Sequence, residues 1–163
     1  EWIDNLLDTG KKLVLFTLRH ATLDAVTARY PDMAVALDGR TDPRARGEIV
    51  RRFQEEPRLK ILVGHIQVAG VGWTLTAAQD AVFLEYPWTP GELDQAEDRI
   101  HRIGQKGNAA IHYLVAQGTM EEDLIELIEE KRKLVGRIVD GEEAAGASVL
   151  DDLLKRIKER SME

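Results

Sequence analysis

The chain has 163 residues, 44% of them apolar and 31% charged, and it contains no cysteine. That length and composition suit one folded domain with a real core, exclude a disordered chain, and leave no thiolate metal site or disulfide. The net charge of −7 has the wrong sign for a simple nucleic-acid binder, no apolar run reaches membrane-spanning length, and the acidic opening Glu1-Trp2-Ile3-Asp4 is unlike a signal peptide.

Glu1–Leu7 reads as a short helix that stops at Thr9-Gly10. Leu13–Phe16 is an apolar run with the look of a buried strand. Leu18–Tyr30 is helical in pattern and ends before Pro31, and Met33–Leu37 is a second strand. After the turn at Asp38-Gly39, Asp42 caps a helix with Pro43 at its first position, whose inward stripe is Ala45, Ile49, Val50 and Phe53. Ile61–Val63 is a third strand, His65–Thr76 a loop with Gly70 and Gly72, and Ala81–Leu84 a fourth strand. Thr89-Pro90-Gly91-Glu92 has the form of a capping box with proline at the first helical position, so a helix starts there and is expected to run to Gly104. Ile111–Val115 is a fifth strand. A second capping box, Thr119-Met120-Glu121-Glu122, opens a long helix to about Asp140 with Leu124, Ile128, Val135 and Ile138 inward. Gly141–Gly146 is a small-residue linker, and Ser148 caps an amphipathic helix, Val149–Arg160. Strands alternating with helices predict an α/β fold with a mostly parallel sheet, with function carried by loops at the carboxyl ends of the strands.

Charge is unevenly spread. From Met120 onward 13 acidic residues face 8 basic ones, whereas the preceding part is close to balance. Within that part Arg40, Arg44, Arg46, Arg51 and Arg52 cluster, a patch open to phosphates despite the acidic total, though the pattern is more that of a solvated helix face.

The run QAEDRIHRIGQ, Gln95 to Gln105, is the most informative feature. Gln95, Arg99 and Arg102 are spaced i, i+4, i+7 and would share one helix face, beside an anchoring stripe of Leu93, Ala96, Ile100 and Ile103. Paired guanidinium groups on a packed helix suit a triphosphate, because planar, permanently charged forks bind phosphate oxygens and offset charge that builds during phosphoryl transfer. The chain has no phosphate loop of the form Gly-x-x-x-x-Gly-Lys-Ser/Thr and no acidic pair after a strand to hold magnesium.

This run, the preceding YPWTPGELD and the following IHYLVAQGTMEEDL resemble the second RecA-like lobe of the Swi/Snf-type ATPases of helicase superfamily two. LVLF, LDGRTDPRARGEIVRRFQ and GVGWTLTAAQDAVFLEYPW precede them in the family's order, so the resemblance covers about residues 10–140. It leans towards the strand-annealing, fork-remodelling translocases and their bacterial relatives. It implies a RecA-like lobe with its closing helix over residues 1–140, and a linker and helical extension over 141–163.

The resemblance also implies roles. Arg99 and Arg102 would be arginine fingers reaching a γ-phosphate held by an amino-terminal RecA-like lobe, with Gln95 positioning the nucleotide or the attacking water. ATP and Mg²⁺ would be held mainly by that other lobe, which this chain does not contain, so the chain alone is expected to hydrolyse ATP negligibly. Gly70, Gly72 and Thr74 fall in the motif that couples nucleotide to DNA. Here Ala69 replaces a common glycine, Thr74 a common asparagine and Ile66 a small hydroxyl residue, which leaves backbone N–H groups as the contacts. Arg19, Arg40 and Thr41 lie in loops that in the family face the DNA backbone, so duplex DNA would be bound through its phosphates. His101 and Gln105 belong to the same signature without a catalytic role. Trp73 and Trp88 read as packing residues. An intracellular protein is expected, and the missing initiator Met suggests a piece of a longer or processed chain. A non-catalytic RecA-like scaffold module and an RNA helicase lobe are the alternatives.

Overall fold

The computed structural model describes residues 2–69, 72–100 and 109–139. Contacts divide the chain into two units, Glu1–Glu85 with Glu92–Leu114, and Tyr86–Gly91 with Val115–Glu163. In chain order the elements are α1 (Trp2–Asp8), β1 (Lys12–Thr17), α2 (His20–Arg29), β2 (Ala34–Leu37), α3 (Pro43–Glu55), β3 (Ile61–His65), α4 (Ile66–Ala69), β4 (Ala78–Phe83), α5 (Pro90–Glu97), β5 (Ala110–Tyr113) and α6 (Met120–Val139).

The sheet has the strand order β2-β3-β1-β4-β5, and all four pairings are parallel. It needs no alternation of apolar and polar residues, because both faces are covered. Leu13, Val14, Leu15 and Phe16 of β1 and Ile61, Leu62 and Val63 of β3 are all fully buried. On one face Leu13, Leu15, Ile61, Val63 and Val82 meet Leu23 of α2 and Tyr30 at its C-cap, with Ile3, Leu6 and Leu7 of α1 closing the cluster. The opposite face takes the alternate residues. There Phe16 stacks on Phe83 with centroids 4.8 Å apart, and Phe83 on Tyr113 at 5.3 Å.

Two joints follow from particular residues. Asp42 caps α3 as expected, its carboxylate accepting from the Arg44 amide at 2.8 Å with Pro43 at the first position. At the other end Lys12 Nζ donates to the Phe53 carbonyl and, at 2.7 Å, to the Glu56 carbonyl, so a cation satisfies the final carbonyls of α3. Only the second half of the predicted α3 stripe is inward: Val50 and Phe53 are buried, Ile49 is half-buried and Ala45 is exposed. Arg51 is paired with Glu48 and Glu55, and Arg52 with Glu56, as a solvated face predicts.

Several boundaries differ from those read in the sequence. β4 begins three residues earlier, because Asp80 is buried in pairing with His112 Nε2 at 2.7 Å. A charged residue in a strand hides the apolar pattern unless its partner is known. The expected loop after β3 opens with the single turn α4, whose Ile66 and Ala69 are buried at i, i+3 spacing. α5 ends at Glu97, short of Gly104. Residues 98–100 form a tighter turn in which the Arg99 amide bonds the Ala96 carbonyl and the Ile100 amide bonds that of Glu97.

In the second unit α6 starts where expected, but by other bonds. Glu122 accepts from the Gly118 amide at 3.0 Å, and the Thr119 hydroxyl donates to the Ala116 carbonyl at 2.6 Å, so the predicted capping box is not formed. Leu124 and Ile128 of the expected stripe are buried, with Leu127 beside them, and the side chains of Val135 and Ile138 lie outside what the structure describes. The linker and last helix expected over 141–163 lie outside the described residues.

Candidate nucleotide and nucleic-acid interface

Because the strands are parallel, the segments after β2, β3, β1 and β4 emerge at one edge of the sheet. Two buried carboxylates organise that edge. The first, Glu85, follows β4. Its Oε2 accepts from the amides of Leu18 and Arg19 at 2.7 and 2.8 Å, and its Oε1 accepts from Thr22 Oγ1 at 2.6 Å and from Arg19 Nε. Burial alone would raise its pKa, but the bonds from Thr22, the two amides and Arg19 outweigh that and hold the carboxyl below its usual range. One side chain therefore fixes the turn between β1 and α2. That turn needs an outside partner, since Arg19, at the N-cap of α2, makes no side-chain cap bond there.

Asp38, after β2, is the second. Its carboxylate accepts from the Arg40 amide at 2.9 Å and from Arg40 Nε at 2.7 Å, and it bonds His20 Nδ1 at 3.0 Å. Its own amide donates to Thr41 Oγ1 at 3.1 Å. Burial works against ionisation here too, and the Arg40 guanidinium and amide overcome it, so the carboxyl is depressed. His20 in turn lies with its ring centroid 5.7 Å from that of His65, at the end of β3.

Of the predicted DNA-facing residues, Arg19, Arg40 and Thr41 are brought to one edge in different states, whereas Thr74 lies towards the opposite edge, where Gln54 in the last turn of α3 and Lys12 at the start of β1 meet. Arg19 is 71% exposed in its side chain and tied at Nε to Glu85. Arg40 is held through Nε by Asp38, and through its two terminal nitrogens by Asp24 at 3.0 and 2.6 Å. Thr41 has its hydroxyl engaged with Asp38. Thr74 is exposed, and its carbonyl accepts from Gln54 Nε2 at 2.6 Å, while Gln54 Oε1 accepts from the Ala77 amide at 2.7 Å. Gly72 has φ +81°, a left-handed conformation that glycine adopts without strain. Gly70 lies outside the described residues.

At the end of α5 three members of the expected packing stripe, Leu93, Ala96 and Ile100, are fully buried, and the fourth, Ile103, lies outside the described residues. The Arg99 carbonyl accepts from the Leu75 amide at 3.0 Å, which joins this turn to the Gly72–Thr74 segment. Arg99 Nε donates to the Gln95 carbonyl at 3.2 Å, and no ion pair forms between Arg99 and Glu97 or Asp98, among the described residues. Glu97 instead accepts from the Tyr113 hydroxyl. Gln95 is exposed in α5 whereas Arg99 lies in the turn past its end, so the two do not share one helix face as the spacing predicted. Arg102, His101 and Gln105 lie outside the described residues. Among the described residues no three acidic or histidine side chains are gathered to hold a metal. Trp73 is half-buried, its ring facing Gly47, whereas Trp88 is 46% exposed rather than packed.

Glu85, Asp38, Asp24 and Gln54 escaped the sequence reading. The one signal for Glu85 and Asp38 is an acid directly behind a buried strand, and nothing in the sequence marks the other two.

The helicase conserved C-terminal domain family matches residues 1–104. The chain is 38% identical over 141 residues to the SWI/SNF-related matrix-associated actin-dependent regulator of chromatin subfamily A-like protein 1 of Xenopus tropicalis, covering 84% of this chain and 15% of that protein. It is 37% identical over 160 residues to the DNA annealing helicase and endonuclease ZRANB3 of Mus musculus, covering 93% and 15%. Among solved structures, the Sulfolobus solfataricus SWI2/SNF2 ATPase core superposes with a TM-score of 0.67 at 30% identity, over 90% of this chain and 30% of that one. The same core in complex with dsDNA gives 0.66 at 33%, over 82% and 28%. The C-terminal part of the Fun30 ATPase domain gives 0.69 at 26%, over 76% and 40%. The chain therefore spans about a seventh of the length of these curated relatives. Motif order, the parallel sheet and these likenesses place it in the helicase conserved C-terminal domain family, as a RecA-like C-terminal lobe of the Swi2/Snf2 type.

Proposed function

We propose that this chain is the second ATPase lobe of a DNA-dependent ATPase that translocates on double-stranded DNA, with residues 1–140 as the lobe and its closing helix. Arg99 and Arg102 supply positive charge to the γ-phosphate of ATP, and Gln95 positions the nucleotide or the attacking water. The Gly70–Gly72 segment offers backbone amides to the nucleotide side of the cleft. Arg19, Thr41 and Thr74 contact the DNA backbone. An amino-terminal RecA-like lobe of the same parent protein holds most of the nucleotide and its Mg²⁺. That metal, when bound, offsets the charge of the phosphates. The chain alone turns over ATP negligibly, since a finger accelerates hydrolysis only when the phosphates are gripped elsewhere. The parent protein works inside the cell, where its DNA is.

The observation that carries this reading is the arrangement of Arg99. Its backbone is locked to Leu75 and its Nε to Gln95, while its two terminal nitrogens have no partner among the described residues. A guanidinium so anchored loses little entropy on taking up phosphate oxygens. The test is ATP hydrolysis by the full-length parent protein with Arg99→Ala and with Arg102→Ala, with and without duplex DNA. A fall of about 10³-fold or more in turnover with nucleotide affinity retained supports the finger role. Parental turnover in both variants refutes it, and stimulation by RNA but not by duplex DNA moves the reading to an RNA helicase.

A further inference from the structure

Two arginines stand at the carboxyl edge of the sheet, and their surroundings differ in kind. Arg19 is held from behind: Glu85, itself buried, takes Nε and both flanking amides of the turn. The two terminal nitrogens of Arg19 have no partner among the described residues, and its side chain is the more exposed of the two, 71% against 51% for Arg40. All three nitrogens of Arg40 are occupied, Nε by Asp38 and the terminal pair by both oxygens of Asp24. Asp24 stands one turn into α2 from His20, and its side chain is 56% exposed.

We infer that Arg19, positioned by Glu85, is the phosphate-gripping arginine of this edge, and that Asp24 withholds Arg40 from the DNA and so sets the affinity. The proposal rests on the duplex-DNA reading above and deepens it. A phosphodiester group is held bidentately when its two non-bridging oxygens accept from two parallel N–H donors of one guanidinium. Arg19 presents such a pair. Arg40 can do so only by exchanging the Asp24 carboxylate for a phosphate, which replaces one bidentate anion by another and adds no net ion release. Asp24 thus acts as a built-in competitor, and its effect is read in the salt dependence, because each phosphate neutralised contributes about 0.9 to the slope of log affinity against log salt.

The experiment is the salt dependence of binding of this chain to a short duplex DNA. Arg19→Ala lowers the slope by about 0.9, which makes its loss about 3.5-fold smaller at fourfold higher salt. Asp24→Asn raises the slope by about 0.9 and tightens binding at low salt. The double variant Asp24→Asn with Arg40→Gln returns to the parental slope, which separates release of Arg40 from the general loss of one negative charge. Asp24 is exposed, so its replacement strands no buried group, and should Arg40→Gln impair folding, the exposed Asp32→Asn, which removes one negative charge without touching Arg40, supplies the same control and should keep the parental slope. An unchanged slope in Asp24→Asn, or a double variant that stays steep, overturns the inference alone. Absence of any salt-dependent binding by the parental chain overturns the inference together with the duplex-DNA reading.

Discussion

Gly64 is the residue whose substitution tests the packing of this edge most directly. It lies in β3, and a Cβ placed there would sit 2.2 Å from the Ala69 Cβ of α4, against about 3.5–4.0 Å for ordinary carbon contact. Neither atom can rotate away, since both are fixed to backbone, so strand and helix must part by about 1.5 Å. Such overpacking typically costs about 1–3 kcal/mol, and the rigidity of both partners puts Gly64→Ala at the upper end, about 3 kcal/mol. For a chain of this size that corresponds to a fall in Tm of about 6–12 °C. Ala69→Gly alone should cost about 1–2 kcal/mol, from backbone entropy and a lost buried methyl. Placed together, the two substitutions remove the collision, so the pair should cost about as much as Ala69→Gly alone, a coupling of about 2–3 kcal/mol. Urea unfolding of the parent, the single variants and the pair completes the cycle. An additive cycle, or a Gly64→Ala variant within 0.5 kcal/mol or so of the parent, refutes the argument.

Two further outcomes are expected. Gln54→Ala removes both bonds that clamp residues 74–77 and should cost about 1 kcal/mol, since the site is only half-buried. Amide hydrogen exchange should speed up at Ala77, and unchanged exchange there would show that the clamp is dispensable. Glu85 has a depressed folded-state pKa, so its contribution to stability is complete above its unfolded value of about 4.3 and is lost as the pH falls through the lower folded value. Urea midpoints measured from pH 6 down to pH 3 should therefore fall more steeply for the parent than for Glu85→Gln, and parallel profiles would contradict the assignment.

Much of the architecture was legible in the chain. Buried parallel strands announce themselves as apolar runs between turn signals, as Leu13–Phe16 and Ile61–Val63 do, and Asp42-Pro43 names a helix start because both residues act on their immediate neighbours. The run from Gln95 to Gln105 likewise carried the family, since no packing requirement calls for so many polar residues in that order. Local chemistry was enough wherever cause and effect lie within one turn of chain.

What the tertiary structure decided lies between residues far apart in sequence. Glu85 reaches back 67 residues to Leu18, Asp80 forward 32 to His112, and Arg40 back 16 to Asp24. No pattern along the chain marks such pairs, because a carboxylate looks the same in sequence whether it is solvated or is the sole acceptor for a turn. The sequence by itself determined that cationic groups would gather where parallel strands end. Only the folded chain decided which of them stay available to a phosphate, because availability depends on the acids that the fold brings alongside.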